Sequence, residues 1–196
     1  MVVKGFACPV EAAKEAFRAV QLVHKNISPS FVKQYAHHVP WNSKKPPLIV
    51  FDIDDTLVTE NGRIDSMIQL LHAFHKLSAI ICLVTARHPS MRKETIQELD
   101  MKGVKTYMYT DISFSPESYR KNMKLVGDWK AKMRRELASK HKTPVLLTAG
   151  DQWTDLVQVQ SVYDLQVLDE AFGTSHTPFL LVRPSDGVSI LGLKLT

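Results

Sequence analysis

Short apolar runs alternate with amphipathic segments along most of the chain. From residue 48 onward there are five short runs, several of them rich in residues that favour strands; they cover residues 48–51, 80–84, 104–108, 145–148 and 179–182. Between them, apolar residues recur every three or four positions, which predicts helices over 64–77, 89–102, 116–139 and 153–162. Continuous apolar strands that alternate with helices predict an α/β fold, with a central parallel sheet and helices on both faces.

The first forty residues follow a helical pattern instead. Apolar residues from Val10 to Ile27 form one stripe, and Pro9 suits the first turn of a helix. A second, shorter helix is predicted over 31–39. We therefore divide the chain into an N-terminal helical segment, residues 1–46, and a core domain, residues 47–196. The segment either covers a sheet edge or roofs a functional site, whose mouth would then lie near Tyr35, His37, His38 or Trp41.

Composition narrows the class of protein. The chain has 196 residues, of which 44% are hydrophobic and 23% charged, so it is neither fibrous nor disordered. Its two cysteines, Cys8 and Cys82, exclude a disulfide scaffold and a Cys-rich zinc site. The net charge of +5 suits an anionic partner. Neither a signal-peptide pattern nor an apolar run long enough for a bilayer is present, so we expect a cytoplasmic protein without a membrane partner.

Three acidic residues follow the first predicted strand, and they are Asp52, Asp54 and Asp55. Ligands of parallel sheets bind at the carboxyl ends of the strands. Asp52 and Asp54 occupy alternate positions, so their side chains point the same way. Carboxylates this close repel one another unless a cation lies among them, and oxygen ligands suit Mg²⁺. The alternative is an acidic turn that caps the next helix.

Polar residues also follow the second and third runs. The Thr85 hydroxyl and the backbone N–H groups around Ala86 could hold a phosphoryl oxygen, and Arg87 could bind it through two donors. The alternatives are a helix cap at Thr85 and a solvated surface side chain at Arg87. Asp111 follows the third run and is either a residue at the rim of the site or a loop cap.

The fourth run leads into Gly150, Asp151 and Asp155. Gly150 permits a tight exit from the strand, and the two acids converge on one point if a helix follows. A cation is needed to offset so many clustered acids. Lys130, at the predicted helix start 128–130, is the candidate, although Lys124, Lys132 and Arg134 compete with it.

The order DIDDT, a strand ending in Thr, a Lys and then GDxxxD resembles the haloacid dehalogenase (HAD) superfamily of phosphotransferases. The wording DIDDTL, TAR and GDQWTDL is similar to its acid phosphatase branch, subfamily IIIB, which includes vegetative storage proteins. These motifs span residues 48–155. The resemblance implies a Rossmann-like HAD fold and a phosphatase that hydrolyses phosphoric monoesters.

The resemblance also implies roles for individual residues. Asp52 would be the nucleophile that becomes an aspartyl phosphate, and Asp54 would be the acid and base. Thr85, Ala86, Arg87 and Lys130 would bind the phosphoryl group, with Thr85 and Lys130 also serving catalysis. The cofactor would be Mg²⁺, held by Asp52, the backbone carbonyl of Asp54, and Asp151, with Asp155 in direct or indirect support.

The spacing between motifs bears on the substrate. Only 33 residues separate Asp52 from Thr85, and 45 separate Thr85 from Lys130, so a large cap does not fit and the site is expected to be open. A phosphorylated small molecule is the expected substrate. The alternatives are a nucleotidase, a polynucleotide 3′-phosphatase and a non-catalytic HAD-fold binding protein, and the oligomeric state stays open. A nucleic acid end would follow a basic track made of Arg120, Lys121, Lys124, Lys130, Lys132, Arg134 and Arg135.

Overall fold

The computed structural model describes residues 2–24, 45–156, 178–182 and 189–195. The strands are β1 (Val2–Gly5), β2 (Leu48–Phe51), β3 (Val58–Thr59), β4 (Gly62–Arg63), β5 (Ile80–Thr85), β6 (Asp111–Phe114), β7 (Val145–Gly150), β8 (Phe179–Val182) and β9 (Ser189–Lys194). The helices are α1 (Pro9–His24), α2 (Asp65–Lys76), α3 (Arg92–Met101), α4 (Met123–His141) and α5 (Trp153–Leu156).

Seven strands form the central sheet, in the order β1-β8-β9-β7-β2-β5-β6. The five strands from β9 to β6 are parallel. Beyond them β8 pairs antiparallel with β9, and β1 pairs antiparallel with β8 at the sheet edge. Strands β3 and β4 form a separate short hairpin. The structure thus confirms the predicted α/β fold with a parallel central sheet.

The sheet is covered on both faces, which explains why its central strands are apolar throughout. In β2, Ile49 and Phe51 face one core cluster with residues of α1 and α2, whereas Leu48 and Val50 face a second cluster with residues of α4. All four of these side chains are buried. A strand with helices on both faces cannot alternate polar and apolar residues, and its continuous apolar run follows from that burial.

The predicted third strand, over residues 104–108, is wrong. Val104 is buried, but its N–H donates to the Leu99 carbonyl at the end of α3, and Thr106–Met108 form a 3₁₀ turn. The strand that pairs with β5 is β6, a sheet-edge strand of mixed polarity. Because Asp111 is the first residue of β6, it lies at the amino end of that strand, away from the carboxyl ends, and of its two interpretations the one at the rim of the site is wrong.

Between the motifs the structure holds no inserted cap domain. Residues 52–130 are all described, and they contain the β3–β4 hairpin, β5, β6, α2, α3, short 3₁₀ turns and the first part of α4. The minimal cap predicted from the spacing is thereby confirmed.

Besides β6, four strands were not predicted. They are β1, which lies in the segment expected to be helical, the two hairpin strands β3 and β4, and β9. The predicted helix over 31–39, with Tyr35, His37, His38 and Trp41, lies outside the described residues, as do the positions after 156 in the predicted helix 153–162. The division of the chain at residue 46 stays a prediction. None of the helices in the described ranges has the length and apolar character needed to cross a bilayer.

Candidate active site

Three neighbouring strands present polar residues at their carboxyl ends. Asp52 directly follows β2, Thr85 is the last residue of β5, and Asp151 directly follows β7. These strands are adjacent in the order β7-β2-β5, so the three residues meet at one edge of the sheet. The backbone N–H of Asp52 donates to the Ala149 carbonyl at 2.9 Å, which keeps the two strand ends in register.

A buried lysine joins two of the acids. Lys130 is 4% exposed, and its Nζ donates to Asp52 Oδ1 at 2.8 Å and to Asp155 Oδ1. Asp52 is 6% exposed. Lys130 does not lie at a helix start as predicted, since α4 begins at Met123 and places Lys130 in its second turn. From there the side chain reaches the carboxyl edge of the sheet beneath the helix.

The main chain around α5 fixes Asp155. The N–H of Gln152 donates to Asp155 Oδ2 at 3.0 Å, and the carbonyl of Asp155 accepts from Thr148 Oγ1 at 3.1 Å and from Arg134 Nη1 at 2.6 Å. Gly150 contacts this side chain so closely that a Cβ on Gly150 would overlap the Asp155 carboxyl group. Both Asp155 oxygens are therefore engaged within the protein.

Burial sets the charge balance of the cluster. Burial, and then repulsion from Asp155, raise the pKa of Asp52 well above its usual value, although Lys130 opposes the shift. Burial and the same neighbour raise the pKa of Asp151. Burial alone would lower the pKa of Lys130, but attraction to Asp155 and Asp52 outweighs it and raises that pKa. The single positive charge of Lys130 therefore does not offset the negative charges of the three carboxylates.

The donor set fits a divalent metal ion. One carboxylate oxygen each from Asp52, Asp151 and Asp155 lies within 4.8 Å of the other two. With all three ionised and Lys130 protonated, the group carries a net charge of −2, which one divalent cation neutralises. The oxygens of Asp151 contact only neutral partners among the described residues, namely Thr56 Oγ1 at 3.5 Å and Gln152 Nε2 at 2.7 Å.

Asp54 lies two residues beyond Asp52 and has a different environment. Its side chain is half exposed. Thr85 Oγ1 donates to Asp54 Oδ2 at 3.3 Å, and Arg87 donates to both oxygens, with Nη2 2.6 Å from Oδ1. Arg87 is in turn held by Thr95 and Glu98 of α3. The guanidinium of Arg87 thus has three protein partners, and its predicted contact with a phosphoryl group stays a prediction.

The comparisons with known proteins agree with this geometry. The model of the family described as HAD superfamily, subfamily IIIB (Acid phosphatase) matches residues 59–172, more than half of the chain. The chain belongs to this family. The match includes Thr85, Lys130 and Asp151 and begins after Asp52 and Asp54. This member of subfamily IIIB is therefore a phosphatase, a hydrolase of phosphomonoesters, as the resemblance implied.

Two solved structures share the fold of this HAD phosphatase. One is the class C acid phosphatase from Bacillus anthracis, with a TM-score of 0.56 and 14% identity over 92% of this chain and 75% of that chain. The other is the class C acid phosphatase from Bacillus anthracis with tungstate bound, with a TM-score of 0.53 and 15% identity over 92% of this chain and 76% of that chain. A search of curated proteins found no match.

Sequence reasoning did not identify the supporting roles of several residues around the site. Arg134 is 1% exposed and supports α5, yet it lies in a charged helix beside exposed Arg135, and the sequence does not separate the two. Glu98 and Thr95 are one turn apart on α3, so their joint approach to Arg87 follows only from the packing of that helix. A helical wheel of α3 would have shown their shared face.

The predicted basic track is largely engaged within the protein. Lys130 and Arg134 are buried. Three further members bind acidic side chains, in the pairs Arg120–Glu117, Lys124–Asp128 and Lys132–Glu136. These pairs reduce the free positive charge along α4 that a polynucleotide could use, and binding of a nucleic acid end stays a prediction.

Proposed function

We propose that this phosphatase uses Asp52 as a nucleophile, Asp54 as a general acid and base, and Mg²⁺ as its cofactor. The observation that carries the proposal is the position of Asp52. Its carboxylate is buried at the carboxyl end of the central strand, and Lys130 is its one hydrogen-bond donor among the described side chains. The second oxygen, Oδ2, is left for attack on phosphorus.

The first step would transfer the phosphoryl group to the protein. Asp52 Oδ2 forms a bond to phosphorus while the ester P–O bond breaks, and the electron pair of that bond leaves with the alkoxide. Asp54, when protonated, gives its proton to this oxygen, so the product is a neutral alcohol. A carboxylate nucleophile divides one difficult displacement into two easier ones.

The second step would regenerate the enzyme. Asp54, now a carboxylate, accepts a proton from a water molecule as the water oxygen bonds to phosphorus, and the P–O bond to Asp52 breaks. Inorganic phosphate and the Asp52 carboxylate result. The half-exposed position of Asp54 supports this role, because a proton-transferring group must reach both leaving group and water. Such proton transfer contributes about 10²–10⁴-fold to a rate.

The neighbouring side chains would bind and orient. Lys130, already bonded to Asp52, would neutralise charge on the phosphoryl oxygens, while the Thr85 hydroxyl and the N–H groups near Ala86 would donate to them. Arg87 would orient Asp54 through its forked contact. A direct contact between Arg87 and the phosphoryl group would appear as a higher KM, at unchanged kcat, in a variant without the guanidinium.

The acidic group would hold Mg²⁺ through Asp52, Asp151 and the backbone carbonyl of Asp54. Asp155 would support the ion indirectly, because Lys130 and the Gln152 N–H already occupy its two oxygens. When bound, Mg²⁺ supplies charge neutralisation for the phosphoryl group and the carboxylates around it. Its preference for oxygen ligands matches the donor set.

The substrate would be a phosphorylated small molecule, because the basic track that a polynucleotide end would follow is largely paired with acidic side chains of the protein itself. The test measures Mg²⁺-dependent phosphate release from an aryl phosphate, nucleotides and a 3′-phosphorylated oligonucleotide. Preference for the small esters is expected. A preference for the oligonucleotide that collapses with added salt would establish the polynucleotide alternative instead.

The mechanism is tested with Asp52→Asn beside Asp55→Asn. Asp55 is the exposed acid of the same motif, and its positive φ of 50° is one that Asn tolerates. We expect Asp52→Asn to abolish turnover and Asp55→Asn to retain it. Rapid quenching with labelled substrate should give a hydroxylamine-sensitive protein label, which the Asp52 variant lacks. Turnover in EDTA, or by the Asp52 variant, would refute the proposal.

A further inference from the structure

A second cluster of metal-ligating side chains lies towards the amino ends of the strands. Cys82 is the third residue of β5, Asp111 is the first residue of β6, and the two are direct partners in the strand register. His141 is the last residue of α4 and packs over them. Three separate elements thus bring a thiol, a carboxylate and an imidazole together.

The distances in this cluster resemble those of a tetrahedral metal site. His141 Nε2 lies 3.3 Å from Asp111 Oδ2 and 3.9 Å from Cys82 Sγ, and the three ligand atoms all lie within 4.8 Å of one another. Bond lengths of about 2.0 Å to nitrogen or oxygen and about 2.3 Å to sulfur place tetrahedral ligands about 3.3–3.6 Å apart. Small side-chain adjustments therefore suffice to bind one ion.

We propose that Cys82, Asp111 and His141 form a site for a borderline-soft divalent cation such as Zn²⁺. Sulfur, nitrogen and oxygen donors together favour Zn²⁺, whereas Mg²⁺ prefers oxygen donors alone. Cys82 is fully buried and forms the floor of the site, while the side chains of His141 and Asp111 are 14% and 27% exposed and leave an entry path. The fourth ligand would come from solvent on that side.

This site is separate from the phosphatase site. Lys130 and His141 lie on the same helix, eleven residues apart, which corresponds to about 16 Å along its axis. A metal at His141 would therefore not contact substrate at Asp52. It would instead fasten the carboxyl end of α4, which carries Lys130, to β5 and β6, and so act on stability.

Two features of the cluster oppose the binding of a cation, and both can be used to test the proposal. Lys140 Nζ donates to both oxygens of Asp111, at 3.0 and 2.8 Å, so its charge disfavours a cation there. Burial, and then the neighbouring Asp111, raise the pKa of Cys82 to about 12. The thiol is therefore protonated before metal binds; forming the metal–sulfur bond releases that proton to solvent, with no change in oxidation state.

Cobalt(II) is the probe, because a thiolate bound to it gives an intense near-ultraviolet charge-transfer band. The full chain is titrated with Co²⁺ in excess Mg²⁺, which would compete with Co²⁺ for the acidic group of the proposed phosphatase site. Cys8 is the one other cysteine, so Cys8→Ser is the matched control. The band is expected in the wild type and in Cys8→Ser and is expected to vanish in Cys82→Ser. Absence of the band, or its survival in Cys82→Ser, would overturn the proposal.

Because Cys82 is buried, Cys82→Ser could lose the band by misfolding. Variants at the more exposed positions His141 and Lys140 test the site independently. His141→Gln, checked by circular dichroism, should weaken Co²⁺ and Zn²⁺ binding at least about tenfold. Lys140→Gln should tighten it severalfold, because the competing ammonium is gone. Zn²⁺ should raise the melting temperature of the wild type and leave that of His141→Gln unchanged. Equal metal affinity in all three proteins would show that the cluster is only a structural contact.

Discussion

Arg87 donates hydrogen bonds to Asp54 from Nε and Nη2, while its Nη1 donates to side chains of α3. Nε lies 3.0 and 3.1 Å from the two Asp54 oxygens, and Nη2 lies 2.6 Å from Oδ1. Nη1 donates to Glu98 at 2.6 Å, so the guanidinium is fixed from both sides. A fork of this kind holds a carboxylate in one orientation, which a lysine cannot do. The proposed acid and base is thus oriented by α3.

Arg87→Met should lower kcat about 10–100-fold with little change in KM, because Asp54 loses its orientation. The loss should be larger for an alkyl phosphate than for an aryl phosphate with an acidic phenol, since a good leaving group needs less protonation. Lys93→Met, an exposed neighbour on α3, is the control and should keep wild-type kinetics. A rise in KM at constant kcat would instead identify Arg87 as a phosphoryl ligand.

The sequence predicted the positions of Asp52, Thr85 and Asp151 because each is tied to the end of a buried apolar strand. That pattern is local and depends only on burial on both faces of the sheet. The site's supporting contacts are not local. Arg134 and Arg135 are adjacent and identical in type, and only the packing of α4 against α5 selects Arg134.

The contrast between local pattern and non-local packing also explains why the third strand was predicted over residues 104–108 and not at β6. Residues 104–108 look like a strand because Val104 is apolar and buried, but that burial comes from the turn after α3. Strand β6 lies at the sheet edge, and its residues 111–113 are only partly buried. An edge strand has less need of apolar side chains, so its sequence DISF carries a weaker pattern than a central strand.

The metal-free protein should be destabilised by its own acids as pH rises. The pKa of Asp52 is higher in the folded than in the unfolded protein, so the folded state favours the protonated carboxyl group. The resulting contribution to the free energy of unfolding is complete below the unfolded pKa. It is lost as the pH rises from there towards the folded pKa. In EDTA, the melting temperature of Asp52→Asn minus that of the wild type should therefore grow between about pH 4 and neutrality. A gain of roughly 2–4 °C corresponds to about 1 kcal/mol in a chain of this length.

Mg²⁺ provides the control for this titration. A divalent ion at the acidic group offsets the repulsion that raises the pKa of Asp52, so the wild type should lose most of its pH dependence relative to the variant when Mg²⁺ is present. A difference in melting temperature that is constant across the pH range, with or without Mg²⁺, would contradict the charge balance described for this site.

Removing Lys130 should harm both stability and catalysis. Lys130→Met leaves Asp52 and Asp155 buried without their shared cation, at a cost of about 3 kcal/mol in the free energy of unfolding measured in EDTA. The turnover number in Mg²⁺ should fall at least about 100-fold. Lys132→Met is the matched control on the same helix, because Lys132 is exposed and its 3.8 Å pair with Glu136 contributes little. Equal effects of the two substitutions on stability and turnover would contradict the role of Lys130 in the site.

Gly150→Ala tests the close approach between β7 and Asp155. A Cβ at this position would overlap the Asp155 side chain, which would have to leave both Lys130 and the Gln152 N–H. We expect the free energy of unfolding to fall by about 1–3 kcal/mol and the Mg²⁺ concentration for half-maximal activity to rise.

Gly62→Ala is the matched control for this substitution. The nearest atom to its added Cβ is Thr59 Oγ1 at 3.8 Å, an ordinary contact, and Gly62 does not have a positive φ. Chemical denaturation and a Mg²⁺ titration of phosphate release should show wild-type values for this variant within about 0.5 kcal/mol. If Gly150→Ala matched it in both measurements, Asp155 would tolerate displacement, and its contacts with Lys130 and Gln152 would not position the metal ligands. The expected separation between the two variants arises because β7 must end in a residue without a side chain for the carboxylate of Asp155 to turn back towards Lys130.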